Sequence, residues 1–128
     1  MSWESARIAL DTQMLTLSGL DPNLVAWSGR TFIPPTSGVW YRVDLIPAAV
    51  DAGLGIGADK HERGIYQVSV YVLPGNGNGA LTRAIDAVVA LFDRKVLSGI
   101  STGVPVPGPI IPEPDWLQQP VSIPFVHL

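Results

Sequence analysis

Residues 65–73, with the sequence IYQVSVYVL, give the clearest indication of the fold. Every second residue from Tyr66 to Val72 is large and apolar or aromatic, which is the pattern of a β-strand with one buried face. Residues 39–46 alternate in the same way. Because no helical pattern separates these two stretches, we expect them to be antiparallel neighbours in one sheet.

Two amphipathic helices are predicted, one before and one after this pair of strands in the sequence. Apolar residues recur at spacings of three and four in residues 3–18 and again in residues 80–95. Less regular strands are predicted at 100–106 and 120–127, where internal prolines favour edge positions or bulges. The predicted fold is therefore α/β of the α+β type: a mostly antiparallel four-stranded sheet with two helices packed on one face. A chain of 128 residues suits a single domain, 1–128.

Two stretches are predicted to be irregular. Residues 48–64 form a long connection rich in glycine, within which 53–57 is predicted to be a flexible loop. Residues 24–36 are mixed, because a short strand at 25–27 is followed by consecutive prolines that prevent regular structure.

The composition excludes several classes of protein. The chain is 47% apolar, which is enough for a folded core, but only 15% charged, against about 25% in a typical soluble domain. We interpret the low charge either as surface covered by partner subunits or as a sparsely charged monomer. A net charge of −3 with no basic run argues against nucleic-acid binding, sequence-specific or driven by phosphate contacts. The absence of cysteine excludes disulfides and thiolate metal sites, and no membrane-spanning segment is predicted.

No residue pattern indicates an active site. The glycine cluster at 75–79 follows a strand and precedes a helix, but it lacks the lysine and the spacing of nucleotide-binding loops. We interpret it as a strand-to-helix turn, with an anion or small-ligand site as the alternative. His61 and His127 have no partners at metal-ligand spacing, and the carboxylates form no acid–base motif. We therefore predict a protein that is not an enzyme and that has no catalytic, cofactor-binding or metal-binding residues.

The sheet face opposite the predicted helices is the strongest candidate for a binding surface. It would expose more apolar area than a monomer usually shows, through Trp40, Ile46, Ile65, Tyr71 and Leu73. Either a second subunit covers these residues or the long loops do. The charged run at 59–63 is in turn either a solvated loop tip or a patch that pairs with a neighbouring subunit. The candidate subunit interface comprises Trp40, Arg42, Asp44, Asp59, Lys60, His61, Glu62, Arg63 and Tyr71.

Several short motifs occur in an order that matches a known family. Those before the second helix are Trp27, 32–35 (FIPP), 40–43 (WYRV), 45–47 (LIP), 63–71 (RGIYQVSVY) and 74–77 (PGNG). Those from that helix onward are 84–86 (AID), 91–92 (LF), 108–109 (GP), 115–116 (DW) and 121–125 (VSIPF). Over nearly its whole length the chain resembles the tail-terminator-like family of phage proteins. It departs from the family at 75–79, where a longer Gly-Asn repeat replaces a plain turn.

The resemblance implies a structural protein of the virion tail, with an α/β fold and no catalytic residues. Tail terminators of long-tailed phages form a hexameric ring on the last ring of tail-tube subunits, where they stop tube growth and present a surface to the head-completion protein. The implied partners are copies of the chain itself, the tail-tube protein and the head-completion protein. Assembly would take place in the host cytoplasm, from a phage or prophage gene. An acidic subunit suits a ring through which DNA passes without binding.

Other functions stay open at this point. Among virion proteins, the alternatives are a head-closure or neck adaptor and a tail-tube subunit. Outside that class, the alternatives are a small-ligand or anion-binding module that uses the 75–79 loop, and a small hydrolase of unknown type.

Overall fold

The computed structural model describes residues 3–35, 38–52, 60–73 and 79–127. Within these ranges the chain forms two α-helices, a short 3₁₀ turn at Pro22–Leu24 and eight strands. The helices are α1 (Trp3–Met14) and α2 (Gly79–Phe92). The strands are β1 (Val25–Ala26), β2 (Trp40–Ala52), β3 (Lys60–Val72), β4 (Val96–Leu97), β5 (Ile100–Thr102), β6 (Val106–Pro107), β7 (Ile111–Pro112) and β8 (Leu117–His127).

The described strands form one mixed sheet in the order β1-β2-β3-β8-β5-β4. β1 is parallel to β2, and the remaining pairs are antiparallel. β6 and β7 also pair with β8, along the same edge as β5. The predicted α+β class is confirmed, but the predicted four-stranded sheet is too simple. β5, β6 and β7 together occupy the place of one predicted strand, and β1 adds a parallel edge.

Two prolines of β8 explain why its partner strand is broken into three pieces. The carbonyls of Pro120 and Pro124 accept hydrogen bonds from the N–H groups of Gly108 and Gly103, each at 2.8 Å. In an extended strand the N–H and C=O of one residue point to the same side, and proline has no N–H to return the bond. The glycines lie opposite because a Cβ at Gly103 or Gly108 would come within 3.0 or 3.1 Å of the proline Cγ.

The prediction of an irregular connection over 48–64 is wrong at both ends. Residues 48–52 continue β2, residues 60–64 belong to β3, and Ala52 lies opposite Lys60. Pro47 does not end the strand, because the register shifts between Pro47 and Ala49. Such a β-bulge accommodates a residue that lacks a hydrogen-bond donor. The predicted flexible loop at 53–57 lies outside the described residues.

Both helices pack on the same face of the sheet, as predicted, and Tyr66 of β3 contacts both of them. Its ring lies 5.6 Å from the ring of Phe92 in α2, and its hydroxyl donates to Asp11 Oδ1 of α1 at 2.5 Å. The buried residues of the helices recur at helical spacing and comprise Ala6, Leu10, Met14, Leu81, Ala84, Ile85, Val88 and Phe92. Each large apolar side chain in this set contributes about 1.5–3 kcal/mol through burial.

Both helices end earlier than predicted, and tertiary contacts explain the end of α2. Arg94 adopts a left-handed conformation (φ 48°), which stops the helix, and its N–H donates to the carbonyl of Gly103. The hydroxyl of Thr102 donates to the carbonyl of Phe92 and accepts from the N–H of Lys95, both at 2.7 Å. β5 therefore fixes the last turn of α2, which helical periodicity alone does not reveal.

Candidate subunit interface

The sheet face opposite the helices is covered at one end by an aromatic cluster of Phe32, Trp40, Tyr71 and Trp116. Trp40 of β2 lies opposite Tyr71 of β3, and their stacked ring centroids are 3.9 Å apart. Phe32 stacks on Trp40 at 5.0 Å, and Trp116 meets Trp40 edge-on at 5.5 Å. Such stacked and edge-on pairs stabilise by about 0.5–1.5 kcal/mol beyond the area they bury.

The predicted exposure of this face is wrong for two residues and right for a third. Trp40 is 7% exposed and Tyr71 is 5% exposed, because Phe32 and Trp116 pack on Trp40, and Trp40 stacks on Tyr71. This corresponds to the alternative in which loops cover the face. Ile46 is 42% exposed, as predicted, while Ile65 and Leu73 are half-buried. A subunit contact made by Trp40 and Tyr71 stays a prediction.

Phe32 and Trp116 are missing from the set of candidate interface residues. Both lie in irregular segments beside prolines: Phe32 shortly before Pro34 and Pro35, and Trp116 shortly after Pro114. Prolines restrict such segments already in the unfolded chain, so that holding an aromatic side chain against the sheet costs less entropy. An aromatic residue next to prolines is therefore the sequence feature that could have indicated packing of these two segments against the sheet.

Arg42 and Asp44 place opposite charges beside the aromatic cluster. Their side chains form an ion pair at 3.3 Å and are 56% and 35% exposed. Burial raises the pKa of the Tyr71 hydroxyl, a hydrogen bond with Arg42 opposes that rise, and the charges of Glu113 and Asp44 add to it. An exposed pair of this kind contributes about 1 kcal/mol or less to folding, but at a contact it helps to set the register of two surfaces.

The predicted charged run lies mainly on a strand. The backbone of Lys60, His61 and Glu62 pairs with β2, and the next residue, Arg63, is exposed. The pairing between β3 and β8 starts at Arg63, so residues 60–62 extend past the described pairing with β8. The interpretation as a solvated loop tip is therefore wrong in placing residues 60–63 in a loop, because they belong to strand β3 of a β-hairpin. Asp59 lies outside the described residues.

The two edges of the sheet expose different apolar side chains. Along the edge formed by β4 to β7, the exposed set is Val96, Val104, Val106, Ile110 and Ile111. At the β1 edge, Leu15 is 50% exposed. Single exposed apolar residues are ordinary, but a row of them along one edge indicates a surface that a partner covers.

A cleft of about 310 Å³ opens at the β1 edge, between α1 and the segment around β1. We call it the β1 cleft, and it is lined by Arg7, Asp11, Leu15, Pro22, Trp27, Ser28 and Arg30. The indole N–H of Trp27 donates to the carbonyl of Pro22 at 3.3 Å, which orients the ring in the wall. Arg30 is exposed and makes no ion pair with any residue that the structure describes.

The α1 wall of the β1 cleft contains a polar network. Arg7 donates to Asp11 Oδ2 at 3.0 Å and also pairs with Glu4. The hydrogen bond from Arg7 lowers the pKa of Glu4, whereas burial, reinforced by the charge of Asp11, raises the pKa of Tyr66 well above its usual value. Asp11 is therefore already occupied by Arg7 and Tyr66, and Arg7 is divided between two carboxylates.

The predictions on metal sites, membrane spans and the glycine cluster concern features that the structure describes in part. Across 3–35, 38–52, 60–73 and 79–127, no group of three or more His, Cys, Asp or Glu side chains is placed to hold a metal ion. In the same ranges no helix is long and apolar enough to cross a membrane. Of the glycine cluster at 75–79, only Gly79 is described, where it begins α2. The anion-binding alternative therefore lies outside the described residues.

Comparison with known proteins gives a family and a fold. The family described as "Phage tail terminator protein" matches residues 6–125. Among the matching solved structures is one with a TM-score of 0.78 at 24% identity, covering 100% of this chain and 96% of that one. At that identity the likeness shows the fold alone. A search of curated proteins gives no match.

The family match extends from the first turn of α1 to Phe125 in β8 and includes all or most of every element described above. Members of this family are structural proteins of the phage tail. The predicted resemblance is therefore confirmed, and so is its broad consequence, a structural role in completing a virion tail. The chain belongs to the phage tail terminator family.

Proposed function

We propose that this protein caps the growing tail tube as a ring of identical subunits, with six copies as in the expected hexamer, and that the far face of the ring receives the head-completion protein. In this proposal the subunit acts through shape and surface chemistry and not through catalysis. It assembles in the host cytoplasm and remains in the virion tail.

The observation that best supports a ring is the open sheet with two unlike edges. A ring forms when one surface of each subunit binds a different surface of the next, so that both surfaces are used in every copy. The β1 edge offers the β1 cleft with Arg30, while the opposite edge offers the row of apolar residues on β4 to β7. A dimer with twofold symmetry would need only one self-complementary surface.

The proposal also assigns a role to the predicted interface residues. Arg42 and Asp44 are exposed enough to meet a neighbouring subunit, and the hairpin strand with Lys60, His61, Glu62 and Arg63 extends past the pairing with β8. We propose that these charges align subunits in the ring, while Trp40 and Tyr71 hold the surface around them in place.

Deletion of the gene from the parental phage tests this proposal. Without a cap, tube growth should continue, so electron micrographs should show tails of variable and excessive length that are not joined to heads. Supplying the protein from a plasmid should restore uniform tails and joining. Tails of normal length that remain attached to heads in the deletion strain would contradict the proposal.

A tail-tube subunit is the second candidate, because the structure contains a hairpin with two 13-residue strands. Tube subunits use long hairpins to stack one ring on the next. The two functions differ in copy number: a terminator is present in about six copies per tail, whereas a tube subunit is present in every ring. Quantitative mass spectrometry of purified tails separates them.

A further inference from the structure

The 110–115 segment exposes apolar and acidic side chains next to one another. Ile110 and Ile111 are 40% and 41% exposed, and Glu113 and Asp115 are exposed without an ion pair to any described residue. Together they form a short surface that is apolar on one part and acidic on the next. We call it the acidic corner.

The acidic corner is held in a fixed shape. The N–H of Glu113 donates to the carbonyl of Trp116 at 2.8 Å, which closes a turn, and Trp116 packs edge-on against Trp40. At its other end, Ile111 pairs with Gln118 of β8. A segment fixed at both ends loses little conformational freedom when it binds, which favours its use as a docking element.

The β1 cleft offers the complementary features. Arg30 is a cation without a described ion-pair partner, and Arg7 adds a second guanidinium that is shared with Glu4 and Asp11. Leu15, which is half-exposed, and the Trp27 ring supply apolar wall. Apolar anchors next to opposite charges are what a specific contact between subunits combines.

The two surfaces lie at the same height on opposite edges of the sheet. Ile111 of β7 is aligned through Gln118 and Tyr71 with Trp40 of β2. On the other edge, Val25 of β1 pairs with Tyr41, the residue next to Trp40. An edge-to-edge step from one copy to the next therefore brings the acidic corner to the level of the β1 cleft, as a closed ring requires.

We infer that the acidic corner of each subunit docks into the β1 cleft of the next copy. Glu113 and Asp115 pair with Arg30, while Ile110 and Ile111 pack against Leu15 and Trp27. This inference rests on the proposed ring and assigns its lateral contact. Backbone pairing between the edges is not part of it, because the 105–114 stretch carries prolines at 105, 107, 109, 112 and 114, which lack the N–H donors that strand addition needs.

Cross-linking in assembled tails tests the contact, and the natural chain contains no cysteine that would interfere. Ser28 lines the β1 cleft and Pro114 lies in the acidic corner, so Ser28→Cys/Pro114→Cys leaves all the proposed charges in place. A short bismaleimide should join successive copies into a ladder of covalent multimers. The control is Asp86→Cys/Pro114→Cys, which moves the first cysteine to the exposed side of α2. A ladder from the first variant and none from the control supports the contact.

Charge exchange provides a second, independent readout. Arg30→Glu should reduce the Ser28–Pro114 ladder by about tenfold, and adding Glu113→Arg and Asp115→Arg should recover most of it. The absence of a ladder in tails of normal length would overturn the inference while leaving the capping function intact. A ladder in a strain whose tails do not need the protein for termination would support the contact and contradict the capping function. A reduction by Arg30→Glu that the reversed corner does not repair would also overturn the pairing.

Discussion

Gly64 allows close packing in the core because it has no side chain. A Cβ at this position would lie 2.7 Å from the ring of Phe125, its partner in β8. The ring of Trp3 in turn meets Phe125 edge-on at 6.3 Å. The absence of a side chain at Gly64 therefore lets the Phe125 ring lie flat across β3 and contact the start of α1.

We predict that Gly64→Ala lowers the free energy of unfolding by about 1–3 kcal/mol, because the added methyl group pushes the Phe125 ring out of place. Urea denaturation measures the effect. A smaller ring-free side chain should relieve the clash, so Gly64→Ala should have much less effect in a Phe125→Leu background. Equal losses in both backgrounds would show that the Phe125 contact is not the cause.

Tyr66 contributes stability that depends on pH. Its hydroxyl is buried and donates to Asp11, and burial raises its pKa in the folded protein above the usual value near 10. The unfolded chain therefore releases this proton first as the pH rises. The stabilisation from Tyr66 is complete below about pH 10 and declines above it, by at most about 1.4 kcal/mol per pH unit.

Tyr66→Phe should accordingly lower stability at pH 7 by about 1.5–3 kcal/mol, the range for a hydrogen bond to a charged group. It should also make the loss of stability above pH 10 shallower. The remaining slope comes in part from Tyr41 and Tyr71, whose pKa values burial also raises. Unfolding curves at several pH values measure both effects, and a variant with the same alkaline slope as the natural protein would refute the assignment.

The burial of Trp40 and Tyr71 could not be predicted from the sequence. Alternation in 39–46 and 65–73 correctly placed Trp40 and Tyr71 on one face of the sheet. It could not reveal their burial, because the cover comes from Phe32 and Trp116, in segments without a regular pattern. Packing of such segments depends on contacts distant in sequence, whereas periodicity reports only which side of an element a residue occupies.

Among the elements, α2 depends on β5 for its last turn. Thr102 satisfies the carbonyl of Phe92 and the N–H of Lys95 with one hydroxyl, and it is buried. Thr102→Val keeps the shape of the side chain but removes both hydrogen bonds. We expect it to lower the free energy of unfolding by about 1–3 kcal/mol.

Thr102→Ser is the matched control, because it keeps the hydroxyl and loses only a methyl group. Amide hydrogen exchange should show faster opening at the end of α2 in Thr102→Val than in Thr102→Ser. If the two variants open at the same rate, the hydroxyl does not hold the helix end.

Strand lengths could be predicted only in part, and prolines account for the errors. The predicted strand stops at residue 46, yet a bulge at Pro47 lets the ladder continue to Ala52. Conversely, the predicted strand at 100–106 is broken, because Pro120 and Pro124 remove donors from the neighbouring β8. The outcome depends on whether the missing N–H faces a paired strand, which is known only when the partners and the register are known.

For the whole molecule, the hairpin of β2 and β3 is the most prominent departure from the predicted arrangement. It carries the charges of Lys60, Glu62 and Arg63 on a strand.

We predict that reversing the charges of Lys60 and Arg63 by substitution with glutamate weakens assembly at low salt and has less effect at high salt, because salt screens exposed charges. Arg83→Glu, on the exposed side of α2, is the control. The proportion of protein incorporated into tails gives the readout. A loss of incorporation that does not depend on salt would show that the hairpin charges do not take part in the contact.

One open sheet of this small subunit has two unlike edges, which the proposed ring would use for its lateral contacts. In the proposed ring, the acidic corner of each copy binds the β1 cleft of the next, so each copy uses both surfaces. In that arrangement the two faces of the ring would remain available for the tube on one side and the head on the other.

The most direct test of this account is cryo-electron microscopy of the head-proximal end of isolated tails. We predict a single ring at that end, built from copies of this chain, with the 110–115 segment of each subunit seated in the β1 cleft of the next. Density for the chain repeated along the length of the tube, or absent from the tail end, would contradict the account.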